Sequence, residues 1–175
     1  YTQSGGMSWM TEGVQMESNL KGGFGKAFGR MFSGESLFMA TFTATRDVDE
    51  VTFAAAMPGK ILKFDIQPNY EIIAQKGAFL CAEHGVQLST YFNRGVKGGL
   101  FGGEGFILQK YSGSGSVFCE IDGSVETIDL APGELLRVDT GNIAAFETSV
   151  QYSAEMVKGF KNILFGGEGL FLSKI

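Results

Sequence analysis

A chain of 175 residues that is 44% hydrophobic and 13% aromatic can bury a core without metals or disulfides and is too apolar to be disordered. Its net charge of -5 and pI near 4.9 oppose general affinity for nucleic acid, which rests on clustered Lys and Arg. No run approaches 18 apolar residues and no basic-then-apolar leader opens the sequence, although an opening at Tyr1 rather than Met leaves room for a lost leader.

Glycine, at 26 of 175 residues, is about twice its usual share, and in an apolar chain it must serve turns, bulges and close backbone approaches. Many short strands follow. The first candidate is Gly5-Gly6-Met7-Ser8-Trp9-Met10-Thr11-Glu12-Gly13-Val14-Gln15-Met16, an apolar run, a polar pair, a small residue, then Val-Gln and another apolar residue. It predicts strand, tight turn, strand. The pattern returns at 77–88, ending Val86-Gln87-Leu88, and at 141–152, ending Val150-Gln151-Tyr152.

The stretch from Phe24 to Phe32 is the best helical candidate. Phe24, Phe28 and Phe32 share a helical face, but the glycines among them cost about 1 kcal/mol each against alanine. Next comes Met31-Phe32-Ser33-Gly34-Glu35-Ser36-Leu37-Phe38-Met39. It is a loose copy of Leu100-Phe101-Gly102-Gly103-Glu104-Gly105-Phe106 and Leu164-Phe165-Gly166-Gly167-Glu168-Gly169-Leu170. From valine to glutamate the spacing is 18 in the second and third copies and 21 in the first, so one short insertion separates them. Pro58-Gly59 and Pro132-Gly133 predict type II turns. After the first of these, Leu62, Phe64 and Ile66 alternate with Lys63, Asp65 and Gln67 as on a half-buried strand. Val51 to Ala55, Ile72 to Gln75, Phe106 to Tyr111 and Val125 to Ile128 also predict strands. Matching positions in fixed order indicate internal repetition. They predict a single all-β domain over 1–175, with repeats at 1–70, 71–139 and 140–175, the third lacking its downstream half. A natural chain running on beyond Ile175 is the expectation from that shortfall.

Chemistry has few places to sit. Glu35, Glu104 and Glu168 invite a carboxylate cluster, yet one Glu per loop without neighbouring Asp or Asn is a poor cation site. The expectation is that each accepts hydrogen bonds from its own Gly-rich turn, because those bonds satisfy a charge that is otherwise expensive to bury. The glycine-rich connections lack the Gly-Lys-Ser/Thr ending and Rossmann context of phosphate loops. His84, the only histidine, is a general-base candidate by type, but its counterparts Glu12 and Thr148 are residues of a polar turn. Cys81 aligns with Trp9 and Ala145, which suits a core position rather than a nucleophile. Cys81 and Cys119, with no CxxC pattern, do not make a zinc site. Lys21, Lys26 and Arg30 beside phenylalanines resemble an interfacial membrane segment. The favoured reading is an interface in which Phe24, Phe28, Phe32, Leu100, Phe101, Leu164 and Phe165 cover one another or a neighbouring subunit.

The motifs at 5–10, 33–39, 75–80 and 130–134, with the doubled Phe-Gly-Gly-Glu-Gly, resemble the AIM twenty-four family, named for altered inheritance of mitochondria. The likeness spans essentially the whole chain. It implies an all-β fold of double-stranded β-helix type, a TRAP-like barrel-sandwich grouped with the tryptophan RNA-binding attenuation protein. It also implies assembly into a homo-oligomer and no established enzymatic activity. A cytoplasmic location follows for a bacterial member and a mitochondrial one, with a link to inner-membrane organisation, for a eukaryotic member. The expectation is therefore a non-enzymatic scaffold or interaction protein without cofactor or metal, a trimer by preference, with a protein partner or membrane surface and no nucleic acid. The alternatives are a binding module for a small molecule, peptide or nucleic acid and, last, a carboxylate enzyme.

Overall fold

The computed structural model describes residues 1–3, 5–18, 39–91, 107–156 and 171–174. The described residues are almost wholly β. Fifteen strands follow one another, namely β1 (Thr2–Gln3), β2 (Met7–Met10), β3 (Val14–Ser18), β4 (Met39–Ala44), β5 (Val51–Phe53), β6 (Gly59–Ile66), β7 (Ile72–Gln75), β8 (Phe79–Ala82), β9 (Val86–Tyr91), β10 (Leu108–Gly113), β11 (Gly115–Asp122), β12 (Arg137–Asp139), β13 (Ala145–Glu147), β14 (Ser153–Met156) and β15 (Phe171–Lys174). Single 3-10 turns at Lys76–Ala78 and Thr140–Asn142 precede β8 and β13. The strands form four antiparallel sheets in the orders β3-β4-β1-β8-β11-β6, β13-β7-β10-β9, β12-β15-β14 and β2-β5.

Three short turns form where the sequence places them. Val14 N–H donates to the Thr11 carbonyl, Val86 N–H to Glu83 and Val150 N–H to Glu147, at 3.1, 3.1 and 3.0 Å. The strands they join are not hairpins, however. β2 and β3 lie in different sheets, as do β8 and β9, and β13 and β14. The strand leaving each turn pairs instead with the strand beyond the long connection that follows: β3 with β4, β9 with β10 and β14 with β15.

The registers of these pairs coincide. Glu17 faces Thr41, Ser89 faces Lys110 and Ser153 faces Lys174, each the third residue after its valine opposite the sixth after its glutamate. The next strand in each sheet keeps step as well. Gln3 faces Met39 (β1–β4), Gln75 faces Leu108 (β7–β10) and Asp139 faces Leu172 (β12–β15).

The core has two parts because β7 is buried on both sides. Ile72 and Ala74 pack with Ile66, Phe79, Val86, Tyr111, Val117 and Cys119, whereas Ile73 packs with Leu108, Ile143, Phe146 and Tyr152. An uninterrupted apolar run suits a strand with two covered faces. β6 shows the opposite pattern, with Lys63 and Asp65 exposed and Ile66 buried, as its alternation predicts.

Two expectations are corrected. Ala131-Pro132-Gly133-Glu134 is a type II turn, with Gly133 at φ 82° and Glu134 N–H donating 2.9 Å to the Ala131 carbonyl. Gly59, by contrast, begins β6 and faces Asp122 of β11. An eight-residue neighbour strand draws this copy into the sheet, and ladder bonds replace the turn bond. Val125 to Ile128 is not a strand. Its alternation finds no partner strand among the described residues, and a strand without one leaves its backbone groups unpaired.

Candidate functional site

Every residue singled out from the repeated motif lies outside the described residues: Glu35, Gly102, Gly103, Glu104, Gly105, Gly166, Gly167, Glu168 and Gly169. The same holds for Phe24, Phe28, Phe32, Leu100, Phe101, Leu164 and Phe165. The strands that flank these segments in the sequence are the three register-matched pairs above.

The two cysteine thiols are sealed. Cys81 on β8 and Cys119 on β11 are free thiols in the core. Burial pushes the Cys81 thiol up to about 11 and the Cys119 thiol up to about 12, so both are protonated at neutral pH and poor nucleophiles. Tyr111 is fully buried beside Cys119, and its hydroxyl finds no partner at hydrogen-bond geometry. Burial is the main cause that drives its ionisation far above the usual phenol range. His84 is exposed in the turn between β8 and β9, as its sequence position predicts. Among the described residues no group of three His, Cys, Asp or Glu could hold a metal ion, and no helix is long and apolar enough to cross a membrane.

The carboxylates that do carry structure were not singled out by the sequence. Asp49, in the β4–β5 loop, accepts from Arg46 Nη2 at 2.6 Å, from Arg46 N–H at 2.9 Å and from Thr11 Oγ1 at 3.1 Å. Its side chain is wholly covered although the loop lies at the surface. The Arg46 hydrogen bond leads the causes that hold this carboxyl well below the usual carboxylate range. Asp49 thereby clamps its loop to the β2–β3 turn. Glu83, in the turn after β8, accepts from Ser116 N–H at 2.7 Å and ties that turn to β11. The signal that could have found Glu83 is positional, because it occupies the same place in the repeated pattern as Thr11.

What remains as a site is a surface. On β2, Trp9 is 49% exposed and Met10 38%. At the matching position of β8, Cys81 is 7% exposed, and all four residues of that strand are buried. The difference is one of neighbours. β8 lies between β1 and β11, whereas β2 pairs with β5 alone among the described residues. Its other edge presents backbone donors and acceptors beside large apolar side chains, which is a template for another strand.

Comparison with known proteins places these features. The family model described as "AIM24: Mitochondrial biogenesis AIM24" matches residues 1–174. No curated protein matches the chain. Among solved structures, the X-ray crystal structure of protein SPYM3_0169 from Streptococcus pyogenes superposes with a TM-score of 0.78 at 25% identity, over 99% of this chain and 77% of that one.

Proposed function

Because this chain belongs to the AIM24 family, we propose that it is a non-enzymatic scaffold or interaction protein that works as a homo-oligomer. The observation that carries the reading is the exposed apolar surface of β2, where Trp9 and Met10 stand outward and β5 is the one paired strand among the described residues. Soluble chains seldom leave an uncharged apolar strand edge uncovered, and Met7-Ser8-Trp9-Met10 has no charge or proline to blunt it, although its register shifts between Met7 and Trp9. The buried, protonated thiols and the carboxylates committed to clamping turns support a structural role over a catalytic one. A trimer is the preferred assembly. A cytoplasmic setting, a TRAP-like arrangement of the sheets and a part in organising membranes belong to the same proposal. The last of these draws on the family's description as a mitochondrial-biogenesis family.

Multi-angle light scattering tests the central point. The expected result is a mass that is a multiple of the 18.8 kDa chain at micromolar concentration. A clean monomer across that range removes the proposal.

A further inference from the structure

Between β11, which ends at Asp122, and β12, which begins at Arg137, residues 123–136 run without a strand. Among the described residues this is the longest stretch from one strand to the next. All of it but Val125, Leu130 and Leu136 is exposed, including the apolar Ile128 and Leu135 at 53% and 64%. Its ends are fixed. Gly123 N–H donates 3.2 Å to the Pro58 carbonyl, and the type II turn closed by Glu134 N–H on the Ala131 carbonyl stands just ahead of β12.

The chain on either side of this strap is joined by more than the strap. Beyond it, β13 pairs with β7, setting Ala145, Phe146 and Glu147 opposite Ala74, Ile73 and Ile72. Gln75 Nε2 donates 2.6 Å to the Ile143 carbonyl, and Thr148 N–H donates 3.2 Å to the Glu71 carbonyl. Ile143, Phe146 and Tyr152 share the second core with Ile73 and Leu108, a burial that holds without a covalent link.

We infer that residues 123–136 are a site of limited proteolysis, cut ahead of Asp129 by an endopeptidase that reads an extended segment, and that the two pieces remain one folded body. The inference is independent of the homo-oligomer reading. Water adds across the Ile128–Asp129 amide, its hydroxyl going to the Ile128 carbonyl carbon and its proton to the Asp129 nitrogen, so the cut needs no other reactant. An endopeptidase pairs with the backbone of its substrate, which favours exposed chain outside the sheet ladders. The aspartates make the choice of bond a sharp one, because all of them lie among the described residues. Asp65 faces Ser116, Asp122 faces Gly59 and Asp139 faces Leu172, each within a strand pair. Asp47 and Asp49 sit in the short loop between β4 and β5, which the Asp49 carboxylate closes through Arg46 and Thr11. Asp129 is the one in the middle of exposed, strand-free chain.

The folded full chain is digested with an endopeptidase specific for the N-terminal side of aspartate and followed by intact-mass spectrometry. The first products should be 1–128 and 129–175, formed about tenfold or more faster than any other cut, because no strand has to open first. The two fragments should elute together from a sizing column in buffer and apart in urea. Asp129→Asn, which removes only an exposed carboxylate, should melt with the unmodified protein and lose the early cut. A first cut ahead of Asp47, or ahead of an aspartate on a strand, would overturn the assignment, as would unchanged early cleavage of Asp129→Asn. Fragments that part in buffer would show that the strap itself holds β12 to β15 in place, against the inference.

Discussion

Strands β2 and β8 occupy the same place in two copies of one sequence pattern and meet different fates. Both are four-residue strands, each followed by a turn closed onto a valine N–H. β8 lies between two neighbours with Phe79 against Tyr1 and Tyr111, at ring separations of 5.7 and 6.1 Å, whereas β2 has one neighbour among the described residues and a half-exposed tryptophan. The contrast teaches that a strand's burial here depends on how many of its edges are occupied, because each added strand also brings side chains over the faces of the one beside it.

The sharpest way to break that comparison is to truncate a large side chain on each strand. Phe79→Ala should destabilise the protein by about 3–5 kcal/mol, the range for removing a buried aromatic ring. Trp9→Ala, measured by urea denaturation below the concentration at which copies associate, should cost no more than roughly 1 kcal/mol, because half of its surface already meets water. Equal losses would mean that β2 is covered within the single chain. A gap that narrows as concentration rises would sharpen the case for coverage by a second copy.

The turns after the two strands give a smaller contrast. A Cβ at Gly85 would collide with the Ser114 carbonyl oxygen, whereas a Cβ at the matching Gly13 would collide with the Asp49 carboxylate. Backbone of the bend between two paired strands, β10 and β11, gives way less readily than a side chain. Gly85→Ala should therefore cost about 1–3 kcal/mol, the range for overpacking, and Gly13→Ala measurably less. Thermal melts of the two variants side by side check the order, and the reverse order would place the rigidity in the Asp49 clamp.

The smallest effect is a pH dependence at the Asp49 clamp beside β2. The Asp49 carboxyl is held below its unfolded value of 3.8, so its contribution to stability is complete above about pH 4 and is lost as pH falls through the folded value. Urea midpoints of the unmodified protein should therefore drop more steeply below pH 4 than those of Asp49→Asn. Parallel curves would show that the clamp adds nothing that titrates. Glu83 holds the corresponding turn through a single backbone N–H, so the equivalent substitution there serves as the control.

Much of the local structure was legible in the sequence. The three turns, the Pro132-Gly133 type II turn and the alternation along β6 all depend on residues close together in the chain, and short-range sterics and hydrogen bonding decide them. The Cys81 core position and the exposed His84 followed from alignment of the repeated pattern. Pro58-Gly59 misled because β11 offers that segment a full ladder of pairs, and Val125 to Ile128 misled because alternation describes a face without supplying a neighbour. The Asp49 clamp was not legible, since Thr11 lies 38 residues away from it in sequence.

By itself the sequence determined that the chain is all-β and that one pattern recurs along it, because these follow from residue conformational preferences and from apolar spacing. Only the tertiary structure decided that strands flanking a short turn part company into different sheets and that strands flanking a long connection pair. It also decided that β8 is enclosed while β2 pairs with β5 alone among the described residues. Met7-Ser8-Trp9-Met10 and Phe79-Leu80-Cys81-Ala82 are both short and apolar, so nothing local separates them. Strand pairing is a long-range choice, set by which backbone edges are free and which apolar faces can be covered together once the rest of the chain has folded.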